Sequence, residues 1–431
     1  MIWWLSALAL VMVMGLHPAT AGDWEVGRAI YYGRTTSRSP AFLGNGKIPV
    51  PLSRVACARC HGADGAGRAE GASEAPAISG NALHVLTQRR PVYDLQAFEE
   101  ALKLGKDSAG RELDAAMPRF KLDKTEMHAL FTYLGHLYDE QRGGIRDTTV
   151  RVAIAHESGR ERPAAALRDR ARTLWERLSL PFIHGRGLEV ETIELDLSGP
   201  DLDRRLRASR IAALVFPIVK EDRKLLAAAA SAGVPVLFPL FPLLGDESRH
   251  VVRGISAPRD VQIRALLGAI DRAVPVVDMA GSAHMLGRQI TPSHPHLTLG
   301  AVADLPQEFI LLGPPGEMLQ RNIRGRTIHG LADDLGASLV PFLEARARVQ
   351  LAEAIVLGKE RDGRQDVMIA AGLAALSAAL LQAGRQLTRA SLIEAFDNVS
   401  VRGGRWPELN YRRFPLAGTD WVRMRRIGFD R

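Results

Sequence analysis

Two cysteines are all that this chain of 431 residues contains, and they stand three positions apart, at Cys57 and Cys60. In an exported protein, paired cysteines first suggest a disulfide framework, but a bridge across two intervening residues closes too short a loop to staple a fold. A zinc half-site would need a second pair of Cys or His ligands, and a thioredoxin-like pair would need a βαβ setting; neither stands nearby. Also missing are a Ser-His-Asp pattern, paired carboxylates and any nucleic-acid motif, which leaves no hydrolytic site and no nucleic-acid partner in view. No low-complexity tract argues for extended disorder. After the N-terminus, no stretch reads as long and apolar enough to span a bilayer.

What is present suits a folded protein of more than one domain. Hydrophobic residues make up 46% and charged residues 24% of a length that exceeds one ordinary core. The opening MIWWLSALALVMVMGLHPATA is a short apolar run ending in the small-x-small pattern Ala19-Thr20-Ala21. Residues 1–21 therefore read as a signal peptide, with a mature start near Gly22 and a periplasmic destination. Its flank lacks Lys and Arg, so an uncleaved anchor is the alternative, and only in that case is the membrane a partner. Of the net charge of +8, residues 22–142 hold sixteen basic and fifteen acidic side chains. The excess lies beyond them, as a solvated basic face or as a surface for an acidic partner.

The cysteines acquire a use from the residue that follows them, in Cys57-Ala58-Arg59-Cys60-His61. Two thiols at this spacing lie along one porphyrin edge and can each add to a vinyl group, which brings His61 beneath the iron as proximal ligand. The motif thus implies one covalently attached haem c. A sixth iron ligand must come from elsewhere, and Met117 is the leading candidate. Pro118 holds the residue before it extended, so the Met117 side chain projects from a loop. Met127 and His128 are rivals, but Met127 falls on the apolar face formed with Leu130, Phe131, Leu134 and Leu137, and His128 falls outside it. Met117 could alternatively fill a gap at the haem edge. With His61 and Met117 both on iron, no position is open for substrate, so the expected work is electron transfer rather than enzymatic turnover.

The segments GRAIYYG, CARCHGADGAG, PAISG and AMPRF, in this order, resemble a class I cytochrome c domain over about residues 24–141. The resemblance implies an all-α fold in which a helix near Trp24–Tyr32 crosses one near Lys124–Tyr138 with the haem between them. It implies Cys57, Cys60, His61 and Met117 as the functional residues. A Gly- and Pro-containing insert between Gly33 and Pro51 departs from the small members of the family, and reads either as a partner contact or as a loop covering the haem edge.

From Thr148 the texture changes to apolar runs (VRVAIAH, VETIEL, IAALVFPIV, VPVLFPLF) alternating with helical segments (ARTLWERL, LDRRLRA, LLAAAASAG). Such alternation predicts parallel βαβ units in a doubly wound sheet. VPVVDM, HLTLGAV and QEFILLG add strands, and Ser338–Gly358 and Met368–Ala383 read as helices. The expected division is a cytochrome domain at 22–140, a polar, flexible linker at 141–149 and an α/β domain at 150–431. With LTRASLIEAFDNV and FPLAGTDWVRMRRI, this order resembles the type I periplasmic binding proteins of branched-chain amino-acid ABC transporters. The resemblance implies a fold and a small-molecule ligand. In that family the loop after the third strand offers small hydroxyls, where this chain has Val219, Lys220 and Glu221, so amino-acid binding does not carry over. The stretch from VPVVDM to QEFILLG is compact for a full second lobe. GPPGEM lacks the Lys and Ser/Thr of a phosphate loop. His294 and His296 form a candidate metal pair with no evident third ligand.

These readings converge on a periplasmic electron carrier. Its redox partner is expected to be a protein such as a quinoprotein dehydrogenase or another cytochrome, with the second domain docking that partner or sensing a ligand. The alternative is a solute-binding or sensory protein in which haem reports redox state.

Overall fold

The computed structural model describes residues 21–431 except 36–39, 45, 71–72, 89, 179–181, 221, 242, 245–248, 280–295, 298–304, 314–322, 336–341, 343, 355–360, 404–405 and 429–431. The segment read as a signal peptide lies outside the described residues but for Ala21. The chain divides into two compact units, 1–140 and 141–431.

The first unit is built on the meeting of α1 (Ala21–Tyr31) with α5 (Lys124–Gln141). Gly27 allows their close approach, because a Cβ there would lie 2.1 Å from the Ala129 carbonyl oxygen. Ile30 and Tyr31 bury against Met127, Leu130, Tyr133 and Leu137 in one cluster, which confirms Met127 as a core residue, while His128 is exposed. The start of α5 is fixed by a reciprocal cap: Glu126 N donates to Asp123 Oδ1 (2.8 Å) and Asp123 N to Glu126 Oε2 (3.0 Å). Between these helices come β1 (Ala41–Leu43), β2 (Ile48–Val50), α2 (Cys57–His61), β3 (Arg68–Glu70), β4 (Ser73–Ala75), α3 (Asn81–His84), α4 (Leu95–Leu104) and β5 (Arg119–Phe120). The expected all-α domain therefore gains short strands. β1 pairs antiparallel with both β2 and β5, so the described residues of the insert between Gly33 and Pro51 include a strand pair laid on the chain just after Met117.

The second unit contains two six-stranded sheets. The first joins β6 (Thr149–His156), β7 (Phe182–Ile183), β8 (Arg186–Glu194), β9 (Ala213–Val215), β10 (Val236–Leu237) and β11 (Val252–Arg253) in the order β11-β10-β9-β6-β8-β7, parallel apart from the edge strand β7. Side chains of β6 alternate between its faces as a strand requires. Val150, Val152 and Ile154 join a core with α6 (Glu161–Glu176), α11 (Arg361–Ala383) and α12 (Arg389–Ala395). Ala153 and Ala155 join another with α7 (Leu202–Ala208) and α8 (Asp222–Ala232). Helices on both faces make this sheet doubly wound.

After α9 (Arg259–Gly268), the second sheet takes β12 (Val276–Asp278), β13 (His296–Leu297), β14 (Glu308–Leu312), β15 (Thr327–Leu331), β16 (Arg348–Glu353) and β19 (Arg423–Ile427), in the order β13-β12-β14-β15-β16-β19. A short α10 (Ala332–Leu335) follows β15, and β17 (Ser400–Val401) pairs with β18 (Leu409–Asn410). Only β19 runs antiparallel, on β16.

Four expectations are corrected. Ser338–Gly358 is not a helix throughout, since 348–353 is a strand buried at five of its six positions. That strand, with β15 and β19, makes the second lobe a full sheet rather than a compact remnant. The segment 141–149 is packed rather than flexible: Gln141 and Ile145 are buried, and a Cβ on Gly144 would strike Ala212 N at 2.3 Å. In α11, residues 365–383 do have the length and hydropathy of a membrane span, with a mean of 1.7. Ile369, Leu373, Leu376 and Leu380 nevertheless bury against the first sheet, which accounts for their apolar character as core.

Candidate haem site

The short helix α2 carries Cys57, Cys60 and His61 at i, i+3 and i+4, which places the three side chains on one face. Gly62 ends the helix with φ 84°, a conformation that favours glycine. The turn that follows is tied to α1 by two phenols, Tyr31 OH to Gly62 O at 2.6 Å and Tyr32 OH to Ala63 O at 2.8 Å. His61 Nδ1 lies 2.8 Å from Pro76 O. A carbonyl can only accept, so Nδ1 carries the proton and Nε2 keeps its lone pair.

Beside α2 opens a cavity of about 330 Å³, within the range of small-molecule and cofactor sites. All four residues singled out from the sequence line it: Cys57, Cys60, His61 and Met117. Its walls include Leu83, Tyr93, Phe98, Leu102, Leu130 and Leu134, and its rim includes the exposed carboxylates of Glu74, Glu112 and Asp114. Phe98, Ala101 and Leu102 come from α4, whose start is capped by Asp94 accepting from Ala97 N at 2.8 Å. Their spacing on that helix was the available signal for these wall residues. Met127 and His128 do not line the cavity.

Cys57 and Cys60 are both free thiols, and Cys57 is half-buried at the cavity wall while Cys60 is exposed. Burial pushes the Cys57 thiol up to about 12. Burial also lowers the His61 imidazole below its ordinary value, against an opposing contribution from the Pro76 carbonyl. A neutral imidazole with Nε2 available, two unpaired thiols on the same helix face and a thioether in an apolar cavity form a donor set that fits haem c.

Residues 52–138 match the cytochrome c family model. This segment is a cytochrome c domain. Such a domain carries covalently attached haem c. No curated protein matches the chain.

Among solved structures, a fatty acid ABC transporter substrate-binding protein from Thermomonospora curvata is similar at 14% identity and a TM-score of 0.50, covering 66% of this chain and 90% of that one. A substrate-binding periplasmic protein from Ralstonia solanacearum has 17% identity and a TM-score of 0.47, with 64% and 97% covered. A possible leucine/isoleucine/valine-binding protein from Rhodopirellula baltica has 14% identity and a TM-score of 0.47, with 66% and 95% covered. At this identity the first of these likenesses shows fold alone, that of a periplasmic binding protein joined to the cytochrome c domain.

In the binding-protein-like unit, groups near the carboxyl ends of the strands bind one another. Arg259 meets Asp334 in a bidentate pair of 2.7 Å contacts, and Gly313 N donates to the same carboxylate at 2.7 Å. Lys220, the loop cation noted in the sequence, is exposed, and its backbone N donates to Glu157 Oε2 at 2.7 Å. His294 and residues 314–318 of GPPGEM lie outside the described residues. His296 is on β13, and among the described residues no group of three or more metal-ligating side chains occurs.

Proposed function

We propose that this protein is a periplasmic electron carrier whose haem is held by Cys57, Cys60, His61 and Met117. The observation that carries the reading is the convergence of these four side chains on one cavity from two distant parts of the chain. Bound haem c supplies reversible one-electron chemistry. Cys57 and Cys60 anchor the group through thioether bonds, and His61, held by the Pro76 carbonyl, offers Nε2 as proximal ligand. Met117 would offer its thioether to the iron, and the apolar walls of the cavity would exclude water. With His61 and Met117 both holding the iron, electron transfer would be favoured over turnover at an open site.

Export to the periplasm fits the N-terminal sequence, with its short apolar run ending in Ala19-Thr20-Ala21. The electron donor is a partner protein, for which a periplasmic quinoprotein dehydrogenase or another cytochrome would serve. The second unit docks that partner or carries a small-molecule ligand. The latter role is the second reading, a solute-binding or sensory protein with a redox reporter, and the fold of the second unit supports it.

The experiment is expression with haem-attachment machinery, followed by acid extraction and electrochemistry. The proposal expects haem that resists extraction in the wild type, is released in a Cys57→Ser/Cys60→Ser variant, cycles reversibly, and binds no carbon monoxide when reduced. Ready carbon monoxide binding would show an open iron position and defeat the carrier reading.

A further inference from the structure

Nothing in the family likeness says what keeps a loop methionine directed at a metal. Met117 precedes Pro118, whose nitrogen has no hydrogen to donate, so the carbonyl of Met117 is a principal handle by which the fold can hold this turn. Arg119 takes that handle, its Nη1 donating to Met117 O at 2.6 Å. The guanidinium is buried, with the residue 9% exposed. Among the described residues no carboxylate forms an ion pair with Arg119.

Two neighbours fix the position of the arginine. Its backbone belongs to β5, where it pairs with Phe42 of β1, so the insert strand registers it. Its side chain lies over Gly105, the left-handed residue that ends α4 (φ 71°), where a Cβ would fall 2.2 Å from the guanidinium carbon. Gly105 thus leaves room for the guanidinium at the end of the helix that supplies Phe98, Ala101 and Leu102 to the cavity wall.

We propose that Arg119 is the positioning residue for Met117, holding its carbonyl from a seat that Gly105 keeps open and β1 registers. This rests on the reading of Met117 as distal ligand. The arginine touches neither haem nor substrate; it acts through the backbone of the ligand loop.

The test is imidazole titration of the oxidised holoprotein, with the near-infrared sulfur-to-iron band recorded for wild type, Arg119→Met, Arg119→Lys and Gly105→Ala. Arg119→Met keeps the bulk and loses the donor. It is expected to bind imidazole about tenfold more tightly, the ordinary worth of one hydrogen bond from a charged group, with a weakened band. Arg119→Lys is expected to recover part of that difference, and Gly105→Ala, which displaces the guanidinium without removing it, to shift affinity the same way as Arg119→Met. Wild-type imidazole affinity and an intact band in both Arg119→Met and Gly105→Ala would overturn the positioning role, even if both melt earlier. Absence of the band from wild type would instead remove Met117 as ligand, and the positioning role with it.

Discussion

In the cytochrome unit, two thiols, a thioether and an imidazole face an open cavity of about 330 Å³, and the fold around them is apolar. In the binding-protein-like unit, charged groups are directed at one another. Asp334 is held by Arg259 and Gly313 N, fully buried Glu353 takes both Arg423 and Arg425, and Arg253 reaches Asp397 and the Ile393 carbonyl. The first arrangement is incomplete without a guest. The second closes on itself: Arg423 and Arg425 hold β19 on β16, so Glu353 fastens the edge strand of the second sheet to its neighbour. Burial of unpaired polar groups costs several kcal/mol, so a site that waits for a ligand must be lined with soft, weakly hydrated atoms or filled. Sulfur is such an atom, whereas carboxylate and guanidinium need each other.

The largest expected effect comes from emptying the first arrangement. Cys57→Ser/Cys60→Ser removes haem and leaves the cavity unfilled, which is expected to cost the cytochrome unit at least about 5 kcal/mol, comparable with the whole stability of a small domain. Calorimetry should show its transition lost and that of the second unit kept. Two unchanged transitions would erase the contrast. Next, Asp334→Ala leaves Arg259 buried without its partner, at an expected cost of about 3–5 kcal/mol to the second unit alone. Denaturant titration should find that loss with an unaltered haem spectrum.

A smaller effect is expected at Gly27→Ala, where the new methyl must push α1 from the Ala129 carbonyl at a cost of about 1–3 kcal/mol. It should lower only the cytochrome transition. The smallest concerns acid. Burial alone would raise the Asp107 carboxyl, but hydrogen bonds from the Arg111 side chain and backbone and from Ala109 N prevail and hold it below the ordinary carboxylate value. A depressed folded value contributes stability above the unfolded value of about 3.9, and that contribution is lost as pH falls through the lower folded value. Asp107→Asn should therefore be less stable at neutral pH and show a shallower acid limb, measured by thermal melts from pH 7 to about pH 2.

Covalent chemistry made the candidate haem residues readable: Cys57, Cys60 and His61 fall within one five-residue segment, and Pro118 marked Met117 as a loop residue. The helix α5 was legible from the apolar spacing of Met127, Leu130, Phe131, Leu134 and Leu137, and α1 from the resemblance to class I cytochromes c. The role of Gly33–Pro51 was not, because strand partners far apart leave no local signal, and only folding puts Phe42 opposite Arg119. In the second unit, β16 was read as helix because RVQLAE, embedded among Ala and Glu, has helix-forming neighbours; its burial between β15 and β19 decided otherwise. Arg259 and Asp334, too, are joined by a contact that no spacing announces.

The most direct test of the central claim is the near-infrared absorption of the oxidised, haem-loaded protein, wild type against Met117→Ala. The account predicts a weak sulfur-to-iron band in the wild type that disappears in the variant, with His61 ligation retained. A wild type without that band, or a variant that keeps it, would contradict the assignment of Met117 to the iron.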